Sequence, residues 1–94
     1  MKFEFSQDKN EILYEERGVT FINVIESISE KGVLLDIKHP NKQKYPNQRI
    51  LVVNIENYTY CVPYVKEGDT LFLKTIFPAR KFKYMIEGKN NERE

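Results

Sequence analysis

The chain has 94 residues, with 15 Lys and Arg against 14 Asp and Glu and a formal net charge of +1. Its length allows a single domain, since one hydrophobic core typically serves about 50–200 residues. The 40% hydrophobic and 13% aromatic residues are enough for a core and argue against intrinsic disorder. Because the net charge is close to zero, only an uneven distribution of charge along the chain can indicate a polyanionic partner.

The scarcity of cysteine and histidine limits the chemistry that the chain can perform. Cys61 is the one cysteine, which excludes an internal disulfide, and with the one histidine, His39, it cannot supply the ligands of a His/Cys metal site. We therefore expect no metal and no cofactor. Since there is no charged-then-apolar leader and no apolar stretch of about 20 residues, we also expect a cytoplasmic protein without a membrane contact.

The N-terminal region predicts a short strand followed by a helix. The opening sequence MKFEFS alternates phenylalanine with charged residues, as a half-buried strand does. Ser6 is a suitable N-cap for a helix that runs to about Arg17, and Gly18 supplies a left-handed stop.

The next segment is the clearest helix in the sequence. Thr20 is a suitable N-cap, and Gly32 ends the helix. Its apolar face is continuous and consists of Phe21, Val24, Ile25 and Ile28. The very short connection between the two helices predicts a helical hairpin, which must bury its apolar face against another element.

A sheet is the predicted partner of this hairpin. Four apolar, β-compatible segments follow it, at 33–37, 49–55, 58–65 and 70–77. Glu56 and Asn57 form a two-residue turn signal between the second and third of these segments. Pro63 cannot donate to a ladder and should therefore face an edge or a bulge.

The predicted fold class is α+β. An N-terminal strand and a helical hairpin pack on an antiparallel sheet of about four strands, and a short helix follows Pro78 and stops at Gly88. Residues 1–88 form the single expected domain, and residues 89–94 form a polar, disordered tail.

Positive charge is concentrated in two segments although the chain is nearly neutral. Segment 38–49 contains no acidic residue and holds Lys38, His39, Lys42, Lys44 and Arg49. Segment 74–84 also lacks acidic residues and holds Lys74, Arg80, Lys81 and Lys83. We expect the two segments to converge into one basic groove that suits a polyphosphate chain, with Tyr45 available to stack on an unpaired base. The alternative is a solvated basic loop and an ordinary Lys-rich helix.

The same residues suit metal-independent cleavage of RNA. The 2′-hydroxyl of RNA can attack the adjacent phosphate, provided that the protein helps to remove its proton, stabilises the dianionic phosphorane and protonates the leaving 5′-oxygen. Arginine and lysine can stabilise the charge, and histidine or tyrosine can move protons. The candidates for this chemistry are Arg49, Arg80, Lys74, His39 and Tyr45.

The N-terminal sequence FEFSQDKNEILYEERGVTFINVIESI resembles the signature of BrnT-type toxins of bacterial type II toxin–antitoxin systems. The positions that match or substitute conservatively are Phe3, Phe5, Lys9, Asn10, Arg17, Gly18, Val19, Thr20 and Phe21. Further along, QRILVVNI resembles the family's strand that opens with an arginine, and PARK resembles its strand-to-helix motif. The resemblance covers about residues 3–87.

This resemblance implies a RelE/ParE-like fold and a ribonuclease that inhibits translation by acting on free or ribosome-associated RNA. It also implies a DNA-binding antitoxin, of the ribbon-helix-helix or helix-turn-helix type, that neutralises the toxin. Operator DNA would then be contacted only through the antitoxin. By position, Arg49 and Arg80 become the implied catalytic residues, and Arg17 and Lys9 join the residues expected to bind RNA.

Two other functions agree with the sequence. One is a non-catalytic RelE-like binding module that contacts RNA or a DNA-binding partner protein through a basic groove. The other is an interaction domain whose basic patch binds an acidic protein segment. Growth arrest that is relieved by Arg49→Ala or Arg80→Ala would favour the toxin, whereas RNA or partner binding without cleavage would favour a binding module.

Overall fold

A computed structural model describes residues 1–80 of the chain. The elements in this part are β1 (Lys2–Phe5), α1 (Gln7–Arg17), α2 (Phe21–Lys31), β2 (Leu35–Lys38), β3 (Gln48–Ile55), β4 (Tyr58–Glu67), β5 (Thr70–Leu73) and β6 (Phe77–Pro78). The predicted C-terminal helix that ends at Gly88 and the predicted tail 89–94 lie outside the described residues, as do Lys81 and Lys83.

Both N-terminal helices are confirmed, together with the residues that cap them. Ser6 Oγ accepts the backbone N–H of Lys9 at 3.2 Å, and Gly18 follows α1 with φ 69°. Thr20 and Asn23 form a capping box at the start of α2, in which each side chain accepts the backbone N–H of the other residue, at 3.2 and 2.9 Å. Within residues 1–80, no helix has the length and apolar character needed to cross a membrane.

A buried asparagine connects the two helices. Asn10 lies in α1, and its side-chain oxygen accepts the backbone N–H of Phe21 at 2.7 Å. A helix start leaves its first N–H groups without partners inside the helix, so this contact satisfies one of them. The first helix therefore caps the second one directly.

The strands form one mixed sheet in the order β1-β5-β4-β3-β2, and β6 also pairs with β4. β1 runs parallel to β5, with Phe3 opposite Leu71 and Phe5 opposite Leu73, and the other described pairs are antiparallel. The expectation of an antiparallel sheet of about four strands is therefore wrong, because the N-terminal strand joins the sheet instead of lying outside it. The helical hairpin carries the chain from this edge of the sheet to β2 at the opposite edge.

The predicted turn between β3 and β4 sets the register of the central pair. Glu56 and Asn57 have φ 49° and 71°, and positive φ at both central residues is what a type I′ hairpin turn requires. In the resulting register, Arg49 lies directly opposite Tyr64. This pairing determines which side chains Arg49 meets.

The predicted strand 70–77 is interrupted in the structure. β5 ends at Leu73, residues 74–76 leave the ladder, and Lys74 donates its backbone N–H to the carbonyl of Pro63 at 2.8 Å. The nitrogen and carbonyl of a strand residue point to the same side, so the nitrogen of Pro63 faces this interruption. Pro63 is therefore accommodated within a central strand without the loss of a bond to β3.

Pro78 is itself a strand residue and not part of the first turn of the helix expected after it. Pro78 belongs to β6, where it lies opposite Tyr60, and the next residue, Ala79, donates its N–H to the carbonyl of Thr59 at 2.9 Å. Proline is tolerated on a short strand at an edge because it has no N–H that the ladder needs there. The chain consequently remains attached to β4 for longer than the sequence indicated.

Hydrophobic side chains are buried on both faces of the sheet. The larger cluster joins the helices to the strands and includes Leu13, Phe21, Val24, Leu51, Val53 and Val62. The smaller cluster lies on the opposite face and consists of Ile50, Val52, Cys61 and Ala79. Successive residues of β3 alternate between the two clusters, as the period of two in a strand dictates.

Candidate functional site

The loop between β2 and β3 is held in shape by its own hydrogen bonds. Asn41 donates its backbone N–H to Nδ1 of His39 at 3.1 Å, and its side-chain oxygen accepts the N–H of Lys44 at 3.1 Å. The carbonyl of Asn41 also accepts the N–H of Tyr45 at 2.9 Å. Asn41 thus makes hydrogen bonds with both His39 and Tyr45.

This loop forms one wall of a cavity of about 260 Å³, which we call the loop pocket. The residues that line it are Lys38, His39, Lys42, Tyr45, Pro46, Asn47, Gln48 and Arg49. Four of the predicted site residues therefore meet here, and Lys38 adds a third cation. None of these described lining residues is acidic, so their charge favours an anionic ligand.

An aromatic pair lies in the loop pocket. The ring centroids of His39 and Tyr45 are 4.5 Å apart at an interplanar angle of 38°. The ammonium of Lys44 lies 5.4 Å from the centroid of Tyr45, within the range of a cation–π contact. The pair gives the pocket a π surface next to its positive charges.

The hydrogen bond from the Asn41 backbone determines which tautomer the neutral His39 ring adopts. Nδ1 accepts this bond, so the neutral ring carries its proton on Nε2. Partial burial lowers the pKa of His39 below its ordinary value of 6.5, which keeps the ring neutral at pH 7. At neutral pH His39 can therefore donate a hydrogen bond from Nε2.

Arg49 is held by an aspartate that the sequence did not single out. Its Nε lies 3.0 Å from Oδ1 of Asp36, and its Nη2 donates to the backbone carbonyl of the same residue at 3.1 Å. These bonds and the negative charge of Asp36 raise the pKa of the guanidinium above its ordinary value. Arg49 is thus a permanent cation with a defined orientation.

Tyr64 completes this group. Its hydroxyl lies 2.9 Å from both carboxylate oxygens of Asp36 and donates to them. Burial, followed by the neighbouring carboxylate, raises the pKa of Tyr64, so the hydroxyl keeps its proton. In the sequence, Asp36 is only a polar residue within an apolar strand. The register between strands brings it next to Tyr64 and Arg49, and the sequence does not show that register.

Three further predicted cations, Lys9, Arg17 and Lys74, do not line the loop pocket. Lys9 and Arg17 belong to α1 and are not among the residues that line the pocket. Lys74 places its ammonium 5.9 Å from the ring of Phe72. His39 lies opposite Gln48, and the pairing continues across the sheet through β4 to Phe72 in β5. Phe72 is therefore about three strand spacings, or roughly 14 Å, from His39, so the ring that Lys74 contacts is distant from the loop.

Arg80 lies near the opposite end of β4 from Arg49. The bond from Ala79 to Thr59 puts Arg80 beside the start of β4, whereas Arg49 faces Tyr64 further along the strand. From Thr59 to Tyr64 the strand advances by roughly 17 Å at about 3.3 Å per residue. The expected convergence of Arg49 and Arg80 is therefore wrong, because β5 runs antiparallel to β4 and carries the chain away from Arg49.

A larger cavity of about 640 Å³ lies beside Arg80. Its described lining is mostly apolar and consists of Leu34, Leu35, Val52, Asn57, Tyr58, Thr59, Tyr60, Pro78, Ala79 and Arg80. Arg80 is the single charged residue among these. The loop pocket combines several charges with ring nitrogen and hydroxyl groups, so it is the better candidate for binding a phosphate chain.

Cys61 is not a candidate nucleophile. It is fully buried in β4, and this burial raises the pKa of its thiol to about 11. The thiolate, which is the reactive form, is therefore scarce at neutral pH. Its side chain is instead part of the smaller core cluster.

No family model matches the chain, and neither a curated protein nor a solved structure shows significant similarity to it.

Proposed function

We propose that the chain binds single-stranded RNA in the loop pocket and cleaves it without a metal ion, as the toxin of a toxin–antitoxin pair. The observation that carries this proposal is the meeting of His39 and Tyr45 with Lys38, Lys42 and Arg49 around one cavity. Cations neutralise phosphates, and aromatic rings stack on unpaired bases, so the two features together favour a single strand. The toxin role is proposed because the sequence resembles that of BrnT-type toxins, a family with a RelE/ParE-like fold.

The proposed reaction is an internal transfer of the RNA phosphate. The 2′-oxygen attacks phosphorus, the bond to the 5′-oxygen breaks, and the products are a 2′,3′-cyclic phosphate and a 5′-hydroxyl. Solvent takes the proton of the 2′-hydroxyl and supplies one to the 5′-oxygen. Arg49 and Lys42 offset the charge of the phosphorane, and His39 donates a hydrogen bond to it from Nε2.

RNA cleavage by the purified chain tests this proposal. We expect an end-labelled single-stranded RNA to be cleaved in excess EDTA, with products that carry a cyclic phosphate. Because one oxyanion contact is typically worth about 10²–10³ in rate, Arg49→Ala should slow cleavage by about that factor. The absence of cyclic-phosphate products with the wild-type chain would contradict the proposal.

Two control variants make this comparison specific. Lys31→Ala removes an exposed cation at the end of α2 that contacts Asn54, roughly 17 Å along β3 from Arg49, and should leave cleavage unchanged. Arg80→Ala tests the catalytic role that the sequence resemblance implies. A loss of cleavage would support that role, whereas unchanged cleavage would agree with the geometry, which separates Arg80 from the loop pocket.

Phosphate binding can be measured apart from cleavage. On a substrate whose 2′-hydroxyls are replaced by hydrogen, Lys42→Ala should weaken binding and reduce the slope of log K against log salt by about 0.7, the value for one phosphate contact with a single strand. An unchanged slope would show that Lys42 makes no phosphate contact.

The second candidate function is RNA binding without cleavage. It is favoured by the two bonds between Arg49 and Asp36, because the carboxylate reduces the positive charge available to a phosphorane. Salt-dependent RNA binding without cyclic-phosphate products would support this function. The variants Lys42→Ala and Arg49→Ala would then lower affinity only.

The proposed partner is a DNA-binding antitoxin with a ribbon-helix-helix or helix-turn-helix domain. Its acidic groups would complement the positive charge of the loop pocket and so block RNA. Expression of the chain alone should arrest growth, and co-expression of the adjacent reading frame should restore it. Growth that is unaffected by the chain alone would contradict the toxin role.

A further inference from the structure

Three side chains from neighbouring strands form a continuous group that leads from the core to the loop pocket. Asp36 comes from β2, Arg49 from β3 and Tyr64 from β4, and Arg49 lies directly opposite Tyr64. Alternation along the three strands puts all of them on the face that the helices cover. Arg49 lines the loop pocket, whereas Asp36 and Tyr64 line a separate cavity.

Asp36 holds one edge of the Arg49 guanidinium. Arg49 uses Nε and Nη2 to bind Asp36, and these two nitrogens form one edge of the planar fork. The end of the fork formed by Nη1 and Nη2 is the part that a phosphate can approach in the same plane. A side chain held at one edge loses less rotational freedom when the other end binds a ligand.

Tyr64 controls the position of Asp36. The tyrosine is 3% exposed, and its ring belongs to the core cluster on the helix-covered face. Its hydroxyl donates to the carboxylate, which is itself 44% exposed and would otherwise be able to rotate. The buried ring fixes the Tyr64 hydroxyl, and this hydroxyl holds the Asp36 carboxylate. The carboxylate in turn holds the Arg49 guanidinium.

We propose that Asp36 and Tyr64 are positioning residues that hold the Arg49 guanidinium at the loop pocket in the orientation that binds an RNA phosphate. The proposal rests on the RNA function proposed above. Neither residue is suited to contact the RNA itself, because Asp36 would repel a phosphate and Tyr64 is buried. Both act through Arg49.

The variant Tyr64→Phe tests this role without a change in charge or ring size. We expect it to weaken binding of a single-stranded RNA by about threefold to tenfold, the range for one hydrogen bond. Tyr60→Phe is the matched control, since Tyr60 lies on the same face of β4 and contacts the ring of Tyr58. It should leave RNA affinity unchanged.

The effect must pass through Arg49. In the Arg49→Ala background, Tyr64→Phe should cause no further loss of RNA affinity, because the group that it positions is absent. Arg49→Lys, which keeps the charge but cannot make the two-point contact with Asp36, should not restore wild-type affinity. A full additional loss in the double variant would overturn the proposal, since Tyr64 would then act by another route.

A second measurement does not depend on RNA. The Nε–H signal of Arg49 in a ¹⁵N NMR spectrum should be shifted and slow to exchange in the wild-type chain, faster in Tyr64→Phe and unchanged in Tyr60→Phe. An identical signal in the wild type and Tyr64→Phe would overturn the proposal. If the wild-type chain binds no RNA, the proposed function fails, and this spectrum alone then decides whether Tyr64 orders Arg49.

Discussion

The imidazole of His39 combines two properties that a phosphate site needs from a neutral donor. One ring nitrogen is occupied by the N–H of Asn41, so the other nitrogen carries the proton. The ring also packs against Tyr45, which limits its rotation. The state of a single proton at this residue therefore affects both the shape of the loop and the hydrogen bond offered to a ligand.

Acidification should loosen the loop at His39. Its pKa in the folded chain lies below the ordinary value of 6.5, so the unfolded chain binds the proton more readily. The stability that His39 contributes is present above pH 6.5 and is lost as the pH falls through the folded pKa. We expect an NMR titration of this one histidine to give a pKa below 6.5.

Thermal unfolding at pH 7 and pH 5 provides the control for this prediction. The melting temperature should fall further over this interval in the wild-type chain than in His39→Gln, in which position 39 has no ionisable group. A pKa of 6.5 or above, or equal losses in the two proteins, would show that protonation of His39 does not oppose the folded loop.

At the scale of secondary structure, the start of α2 depends on contacts from two directions. Thr20 and Asn23 supply a local capping box, while Asn10 reaches across from α1 to the N–H of Phe21. The local contacts are typical of many isolated helices. The contact from Asn10 exists only when the hairpin is folded, so it links the two helices energetically.

Asn10→Ala should lower the free energy of unfolding by about 1–3 kcal/mol, because it leaves a buried backbone N–H without a partner. Urea unfolding measures this change. Asn10→Asp is the matched variant, since it keeps an acceptor oxygen near the positive end of α2 and should lose less. Equal losses for both variants would mean that the hydrogen bond to Phe21 is not the source of the stability.

At the scale of the whole molecule, the sheet order separates a protected centre from exposed edges. β3 and β4 lie in the middle, and β1 and β2 form the two edges of the main path. The backbone N–H of His39 donates to the carbonyl of Gln48, and backbone groups point to alternate sides along a strand. The backbone N–H groups of Asp36 and Lys38 therefore point away from β3. Among residues 1–80, the edge next to the loop pocket therefore has backbone donors that pair with no other strand.

Hydrogen exchange should reproduce this arrangement. Amides of β3 and β4 should exchange most slowly, and in β2 the amide of Ile37 should be slower than those of Asp36 and Lys38. NMR spectra recorded over time after transfer to D₂O measure the individual rates. Strong protection of Asp36 and Lys38 would contradict the prediction and would indicate that another strand covers this edge.

Much of the local structure and part of the site could be predicted from the sequence. The caps at Ser6 and Thr20 and the turn at Glu56 and Asn57 depend on side chains within a few residues, so their prediction succeeded. The basic segment 38–49 does form a pocket, because its residues are neighbours along the chain.

The errors concern residues that are distant in the sequence. Arg80 was expected beside Arg49, but the direction of β5 and the pairing of β6 with β4 separate the two. Asp36 and Tyr64 were missed as partners of Arg49 because nothing in their local sequence distinguishes them from other strand residues. Cross-strand contacts depend on register, and register is decided by the packing of several strands together.

By itself, the sequence determined where the two N-terminal helices begin and end, where the central hairpin turns and where positive charge gathers in the loop after β2. Hydrogen bonds and steric preferences within a few residues are sufficient for each of these features. Only the tertiary structure decided that β1 pairs in parallel with β5, and that Arg49 is held by Asp36 and Tyr64. Those contacts join distant parts of the chain, and they form because burying both faces of one sheet selects a single order and register of the strands.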